Sequence, residues 1–216
     1  MTYSQKYIRF QNEELWNTLT HGIGTLLAVA ALVLMVVYSS LYGGALEIIC
    51  SIVFGLSLTF QYAASTFYHA ATNPRKKYFL KRIDHLCIYL LIAGTYTPVM
   101  LIGLQGAWGW TMFAAIWALV ILGFVFKFSP LRKSKKLSLS LYALMGWLVV
   151  IAVKPMVASL SSEALWYIAL GGLAYTIGIV FYANKRIPFN HAIWHLWVLA
   201  GSILHFLAIF WYVLPR

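Results

Sequence analysis

His191 and His195 stand four residues apart in the run Arg186-Ile-Pro-Phe-Asn-His191-Ala-Ile-Trp-His195-Leu-Trp, which opens a long apolar stretch near the end of the chain. On a helix this spacing stacks both imidazoles on one face, about 6 Å apart. Pro188 and Asn190 are helix-starting residues, which predicts that the pair lies in the first two turns. Two imidazoles in apolar surroundings have two explanations: packing with hydrogen bonds to backbone, or a metal ion, since neutral imidazole is a common transition-metal ligand. The motif alone does not choose between them.

A second pair of polar residues repeats the geometry, in Gln61-Tyr-Ala-Ala-Ser65-Thr-Phe-Tyr-His69-Ala. Arg82-Ile-Asp84-His85 adds the only aspartate of the chain. His69, His191 and His195 with an open fourth position and a carboxylate alongside make the ligand set of a catalytic zinc rather than a closed structural one. The alternative is a hydrogen-bonded polar cluster. The residues between His191 and His195 include no glutamate, so a general base from that helix is absent, and Asp84 is the available carboxylate to orient and deprotonate a metal-bound water. Its other reading is a helix N-terminal acid stabilised by the dipole. Ser65, one turn from His69, either joins the site or bonds back to its own helix. Haem ligation is a further rival for the histidines, but two on one face of one helix suit it poorly.

The elements that must position these residues are membrane spans. The chain is 62% hydrophobic and 10% charged, with a mean hydropathy of +0.80, so its surface must face lipid. Apolar runs place seven spans at approximately 17–39, 46–70, 84–104, 108–128, 138–156, 163–183 and 190–213. Residues 1–16 form a short interfacial segment, with an amphipathic helix over Tyr3 to Trp16 lying along the membrane surface, and 17–216 form a single seven-helix transmembrane domain. No short apolar core with a cleavage site marks a signal peptide.

Of the 16 Lys and Arg residues, 14 fall before span one or after spans two, four and six. Lys154 and Arg216 alone fall on the other side. This split predicts a cytoplasmic N-terminus and an external C-terminus. The net charge of +11 therefore reads as topology and anionic-lipid contact rather than nucleic-acid binding. Trp108, Trp110, Trp166, Tyr167, Trp211 and Tyr212 sit where the external interface should be, while Cys50 and Cys87 are too far apart to pair. At 1.5 Å per residue, His69 lies about 9 Å below the cytoplasmic interface, Asp84 about 3 Å, and His191 and His195 about 7 and 13 Å, depths compatible with one site. His205, about 21 Å along its helix from His191, is expected to bond within the bundle. His21 is a candidate support for the site, and His85, about 100° round the helix from Asp84, is expected at the interface. Gly94, Pro98, Gly171 and Gly172 are expected at kinks or close helix contacts.

These residues carry a resemblance. His21-Gly-Ile-Gly24, Ser65-Thr-Phe-Tyr-His69-Ala, Asp84-His85 leading into Tyr89-Leu-Leu-Ile-Ala-Gly-Thr-Tyr-Thr-Pro98, and the His191/His195 run together resemble the bacterial hemolysin III-like branch of the progestin and adiponectin receptor family. The resemblance runs from about Glu14 to the end. It implies a seven-helix fold in the bacterial inner membrane and an intramembrane zinc near the cytoplasmic face. It further implies that His69, His191 and His195 bind the metal, that Asp84 holds its water and that Ser65 is the motif serine. The expected activity is hydrolysis of an amide or ester in a membrane lipid, ceramidase-like, with membrane lipids as substrate or ligand. The alternatives are a non-catalytic regulator of membrane-lipid or membrane-energy homeostasis with a structural zinc, and a pore-forming haemolysin. Ionisable groups concentrated at one end argue against the pore.

Overall fold

The computed structural model describes residues 3–129 and 134–214 and is all-helical among them. Arg132, Lys133 and Arg216, three of the basic residues used to predict orientation, lie outside the described residues. Seven helices are long and apolar enough to cross a membrane. They are formed by α1 (Tyr3–Tyr42), α2 (Ala45–Ala70), α3 (Pro74–Pro98), α4 (Gly106–Phe128), α5 and α6 together (Lys135–Trp147 and Val153–Ser159), α7 (Ser162–Ala183) and α8 (Asn190–Ala208). Side chains at lipid-facing positions are apolar and open, as at Leu26, Ile121 and Val180, each about two-thirds or more exposed. With seven such helices this is an integral membrane protein.

Five spans fall within a few residues of the expected bounds, and two begin earlier. The first span starts at Phe10, inside a helix that is continuous from Tyr3, so the segment over Tyr3 to Trp16 is helical as expected but joined to the first span without a break. Nothing between Tyr3 and Tyr42 breaks it: the stretch contains no proline, and its glycines sit singly in good helical sequence. The third span starts at Pro74 rather than residue 84. Pro74 occupies the first turn, and Asn73 caps it by accepting from the amides of Arg75 and Lys76 at 3.0 and 3.1 Å. Asp84 therefore lies ten residues, about 15 Å, into α3, and the helix-dipole reading of this carboxylate falls.

Two spans are irregular. After Pro98, which supplies no backbone N–H, α3 widens into a π-helical stretch over Val99–Leu104 and ends at Gln105, whose φ is 56°. The fifth span passes through a 3-10 stretch, Leu148–Ala152. Tyr96 holds that break in place: its hydroxyl accepts the Val149 amide at 2.8 Å and lies 3.0 Å from the carbonyls of Met145 and Gly146. Here a side chain replaces the backbone pairing that the change of helix type frees, as hydrocarbon requires.

Small residues and buried hydroxyls hold the bundle together. A methyl group on Gly94 would come 2.1 Å from Ser57 Oγ, so this glycine lets α2 and α3 touch, and Gly171 does the same for the His205 ring. Gly172 has nothing within 4 Å and marks neither a kink nor a contact; it lines open space instead. The Tyr62 hydroxyl donates to Ser202 Oγ at 2.7 Å, and Tyr175 meets the same atom at 2.8 Å, joining α2, α8 and α7. Cys50 and Cys87 are free and buried, as expected of packing residues. The Tyr167 ring lies 6.3 and 5.8 Å from those of Trp211 and Tyr212, so the aromatic residues of two spans gather at the end opposite the histidines.

Candidate metal centre and the adjoining cavity

His69 lies in the last turn of α2, and His191 and His195 lie in the first two turns of α8. The turn before α8 is held by Phe189, in the left-handed region at φ 55°, and by Asn190. Pro188 and Asn190 act differently from the expected helix start. Pro188 lies in the turn, and the Asn190 side-chain amide donates to the carbonyls of Phe181 and Tyr182, satisfying the open end of α7. One residue thus fixes the position of α8 against α7.

One nitrogen from each of the three histidines lies within 4.8 Å of the other two. The ring centroids are 4.8 Å apart for His69 and His191, 5.0 Å for His69 and His195, and 4.6 Å for His191 and His195. His69 and His195 are buried. Among the described residues no hydrogen bond joins these rings to one another; their polar contacts run to α1 instead. His69 makes the point sharply. Its Nδ1 lies 3.2 Å from Glu14 Oε2, and since a carboxylate only accepts, Nδ1 carries the proton, which in the neutral ring leaves Nε2 its lone pair. That Nε2 is buried without a partner. An unsatisfied buried acceptor costs about 1–3 kcal/mol, and a metal ion is the partner that two further imidazoles at this spacing would share.

The support for His69 comes from the early part of α1, which sequence reasoning left out of the site. Glu14 also receives the Lys77 ammonium, so a carboxylate, an imidazole and an amine bind α1, α2 and α3 together. Thr20 Oγ1 lies 3.3 Å from His195 Nδ1, and the His191 amide donates to Glu13 Oε1 at 3.4 Å; the Asn17 amide nitrogen, 3.3 Å from His69 Nδ1, packs beside that N–H as a second donor. The signal was present in the spacing: Glu14, Asn17 and His21 are at i, i+3 and i+7, one face of a helix. The polarity of residues 1–16 masks it, because a polar stretch before an apolar run reads as a segment apart from the span.

His21 lies on that face too. Its ring stacks on His195 with centroids 3.5 Å apart and meets Tyr62 edge-on at 5.0 Å, while both of its nitrogens are buried without partners. Its ring therefore packs against the site, as a supporting residue would. His205 donates to the Ile168 carbonyl at 3.1 Å, within the bundle as expected.

Asp84, Ser65, His21, His191 and His195 all line one cavity of about 820 Å³. His69 is not on its wall, so the histidine cluster sits at the cavity's edge with two rings turned to it. The carboxylate is held from two sides: Gln61 Nε2 donates to Oδ1 at 3.4 Å, and His85 Nδ1 lies 3.0 Å from Oδ2. His85 is therefore a partner of Asp84 and lines the cavity. The 100° between their Cα directions is spanned by the side chains themselves. Ser65 Oγ is buried and makes no bond back to its own helix. Beyond these groups the cavity is mostly apolar, walled by residues such as Leu91, Val99, Val153 and Ile179.

The family model described as haemolysin-III related matches residues 9–206. The chain is 42% identical over 207 residues to "Hemolysin-3" of Bacillus cereus, covering 96% of this chain and 94% of that protein. It is 44% identical over 200 residues to "Hemolysin-3 homolog" of Bacillus subtilis (strain 168), with 93% and 94% covered. More distantly, it is 28% identical over 235 residues to human "Monocyte to macrophage differentiation factor", covering 99% and 95%.

Proposed function

The chain belongs to the haemolysin-III related family, and from that premise we propose that it is a zinc-dependent hydrolase of an amide or ester bond in a membrane lipid. The observation that carries the reading is the junction of the histidine cluster and Asp84 with one large, mostly apolar cavity. His69, His191 and His195 would hold the ion. Bound there, zinc acts as a Lewis acid toward a carbonyl oxygen and lowers the pKa of water toward 7.

The remaining steps belong to the chain's own residues. An acyl chain lies among the apolar walls and brings its polar linkage to the edge where Asp84, Ser65 and the imidazoles meet. The Asp84 carboxylate, kept in place by Gln61 and His85, takes the proton of the attacking water. As the water oxygen bonds to the carbonyl carbon, the C–N or C–O bond breaks and the same proton passes to the leaving amine or alcohol. Ser65 Oγ, with no other partner, is free to donate to the linkage. Glu14 holds His69 in the tautomer that leaves Nε2 open.

A second reading is favoured by the same Glu14 contact. Because Glu14, His69 and Lys77 tie three helices at the metal-binding end, a zinc ion there would also serve a non-catalytic regulator of membrane-lipid or membrane-energy homeostasis, by holding its helices together. In either reading the histidine end is expected on the cytoplasmic side of the bacterial inner membrane, which reporter fusions at residues 105 and 134 check by external and cytoplasmic signals respectively. Lipidomics on membranes exposed to wild-type or Asp84→Asn protein of equal zinc content separates the readings. Consumption of a lipid by wild type alone supports the hydrolase. If neither protein consumes any lipid amide or ester and Asp84→Asn retains full cellular effect, the regulator replaces it.

A further inference from the structure

Lys127 lies in the last turn of α4 and, unlike the many lysines at the ends of spans, is buried. A lysine in that position normally extends to the membrane surface and keeps its ammonium in water. Here the ammonium turns inward, donating to Ser138 Oγ at 3.0 Å and lying 5.5 Å from the ring centroids of both Phe126 and Tyr142. Ser138 in turn is 3.2 Å from the Ser134 carbonyl, to which its hydroxyl donates. Among the described residues no carboxylate lies within ion-pair distance of Lys127. The nearby Asp84 has its oxygens engaged by Gln61 and His85.

An ammonium has three donors, and the hydrogen bond to Ser138 uses one. The helix C-terminus and two aromatic rings favour a cation, each by roughly 0.5–1 kcal/mol. That is little against the several kcal/mol that burying an unpaired charge costs. What distinguishes this lysine from a merely tolerated one is its place. Lys127 and Ser138 line the same cavity as Asp84, His191 and His195, and Lys81 and Arg82 add positive charge to that wall. A buried cation with spare donors, opening on an apolar volume, is built for an anion that carries a tail.

We propose that Lys127 and Ser138 form a subsite for the anionic group, carboxylate or phosphate, of an amphiphile whose hydrocarbon lies along the cavity. The subsite rests on the reading of this cavity as a lipid site but not on hydrolysis or on the metal. It selects among lipids: the preferred occupant carries negative charge at the end where Lys127 waits, and an uncharged lipid of the same length fits the volume but leaves the ammonium unpaired.

The test is saturable binding of radiolabelled palmitate, methyl palmitate and palmitoyl lysophosphatidate to the purified full-length protein in a neutral maltoside detergent, with and without metal. Wild type is expected to bind at least one of the two anions about tenfold more tightly than the ester, as one partly buried charge pair predicts. Tighter palmitate assigns the anion as a carboxylate, and tighter lysophosphatidate as a phosphate. Lys127→Met should erase the preference while the ester still binds saturably and no more weakly than to wild type, and that retained binding shows the variant is folded. Lys81→Ala, at an exposed position, should shift it by less than about twofold. Equal affinity for anions and ester in wild type overturns the subsite while leaving the lipid cavity intact, and so does a preference that survives Lys127→Met. If none of the three probes binds saturably, the cavity is not a lipid site, and the hydrolase reading falls with the subsite.

Discussion

The second and third spans are packed in a way the fifth is not. Over their most apolar stretches 56% and 67% of the residues of the second and third spans are buried inside the protein, against 22% for the fifth. The tightly packed pair carries Ser65, His69 and Asp84. The fifth span, broken by its 3-10 stretch and held at Val149 by Tyr96, contributes the loose wall of the cavity. Ligands for an ion must be fixed to within fractions of an ångström, whereas a tail needs only volume. The fifth span thus supplies wall alone, whereas the third span, through Leu91 and Val99, serves the cavity while it holds Asp84, and α8 brings His191 and His195 to the tight pair.

Gly94→Leu attacks the tight pair directly. Its side chain would collide with Ser57 Oγ and approach the Val53 carbonyl, so we expect a loss of about 3 kcal/mol or more, read as a large fall in the thermal midpoint. Unchanged stability would mean that α2 and α3 are not the rigid element described. Glu14→Gln tests the site alone. It keeps the shape but weakens the hold on His69 Nδ1, and zinc affinity measured against a competing chelator should fall about 10- to 100-fold with the fold intact.

Tyr96→Phe removes the acceptor for Val149 at the break in the fifth span. A cost of about 1–3 kcal/mol is expected, together with faster hydrogen exchange at the Val149 amide and no change in zinc content. Gly172→Leu gives the smallest effect on stability, below about 1 kcal/mol, because nothing stands within 4 Å of it. Its effect should appear instead as weaker binding of long-tailed lipids. Were Gly172→Leu as destabilising as Gly94→Leu, the contrast between the two regions would disappear.

Hydropathy made the seven spans legible, because seven apolar runs of the right length admit few other structures in lipid. The meeting of His69 with His191 and His195 was legible too, from the i, i+4 pair and the shared end of their helices. What the sequence hid were relations that depend on where a helix starts. Glu14 reaches His69 only because α1 continues back through the segment read as interfacial. Asp84 is deep in α3 only because Asn73 and Pro74 begin that helix earlier, at a capping signal among charged residues that hydropathy does not weigh. Lys127 has the position of the basic residues that orient the chain, and nothing in its neighbours' identities announces that its ammonium turns inward. Cavities are the least legible, since they arise from what three or four helices together fail to fill.

The central claim is that His69, His191 and His195 are the ligands of one metal ion. Its most direct test is the zinc content of protein purified without added metal, by elemental analysis of wild type and of the His191→Ala, His195→Ala double variant, with visible absorption recorded on both. The account predicts a colourless wild-type protein with about one zinc per chain, and a double variant that retains its helical content but holds almost none. Full zinc retention in the double variant, or a red wild-type preparation with a Soret band, would contradict it.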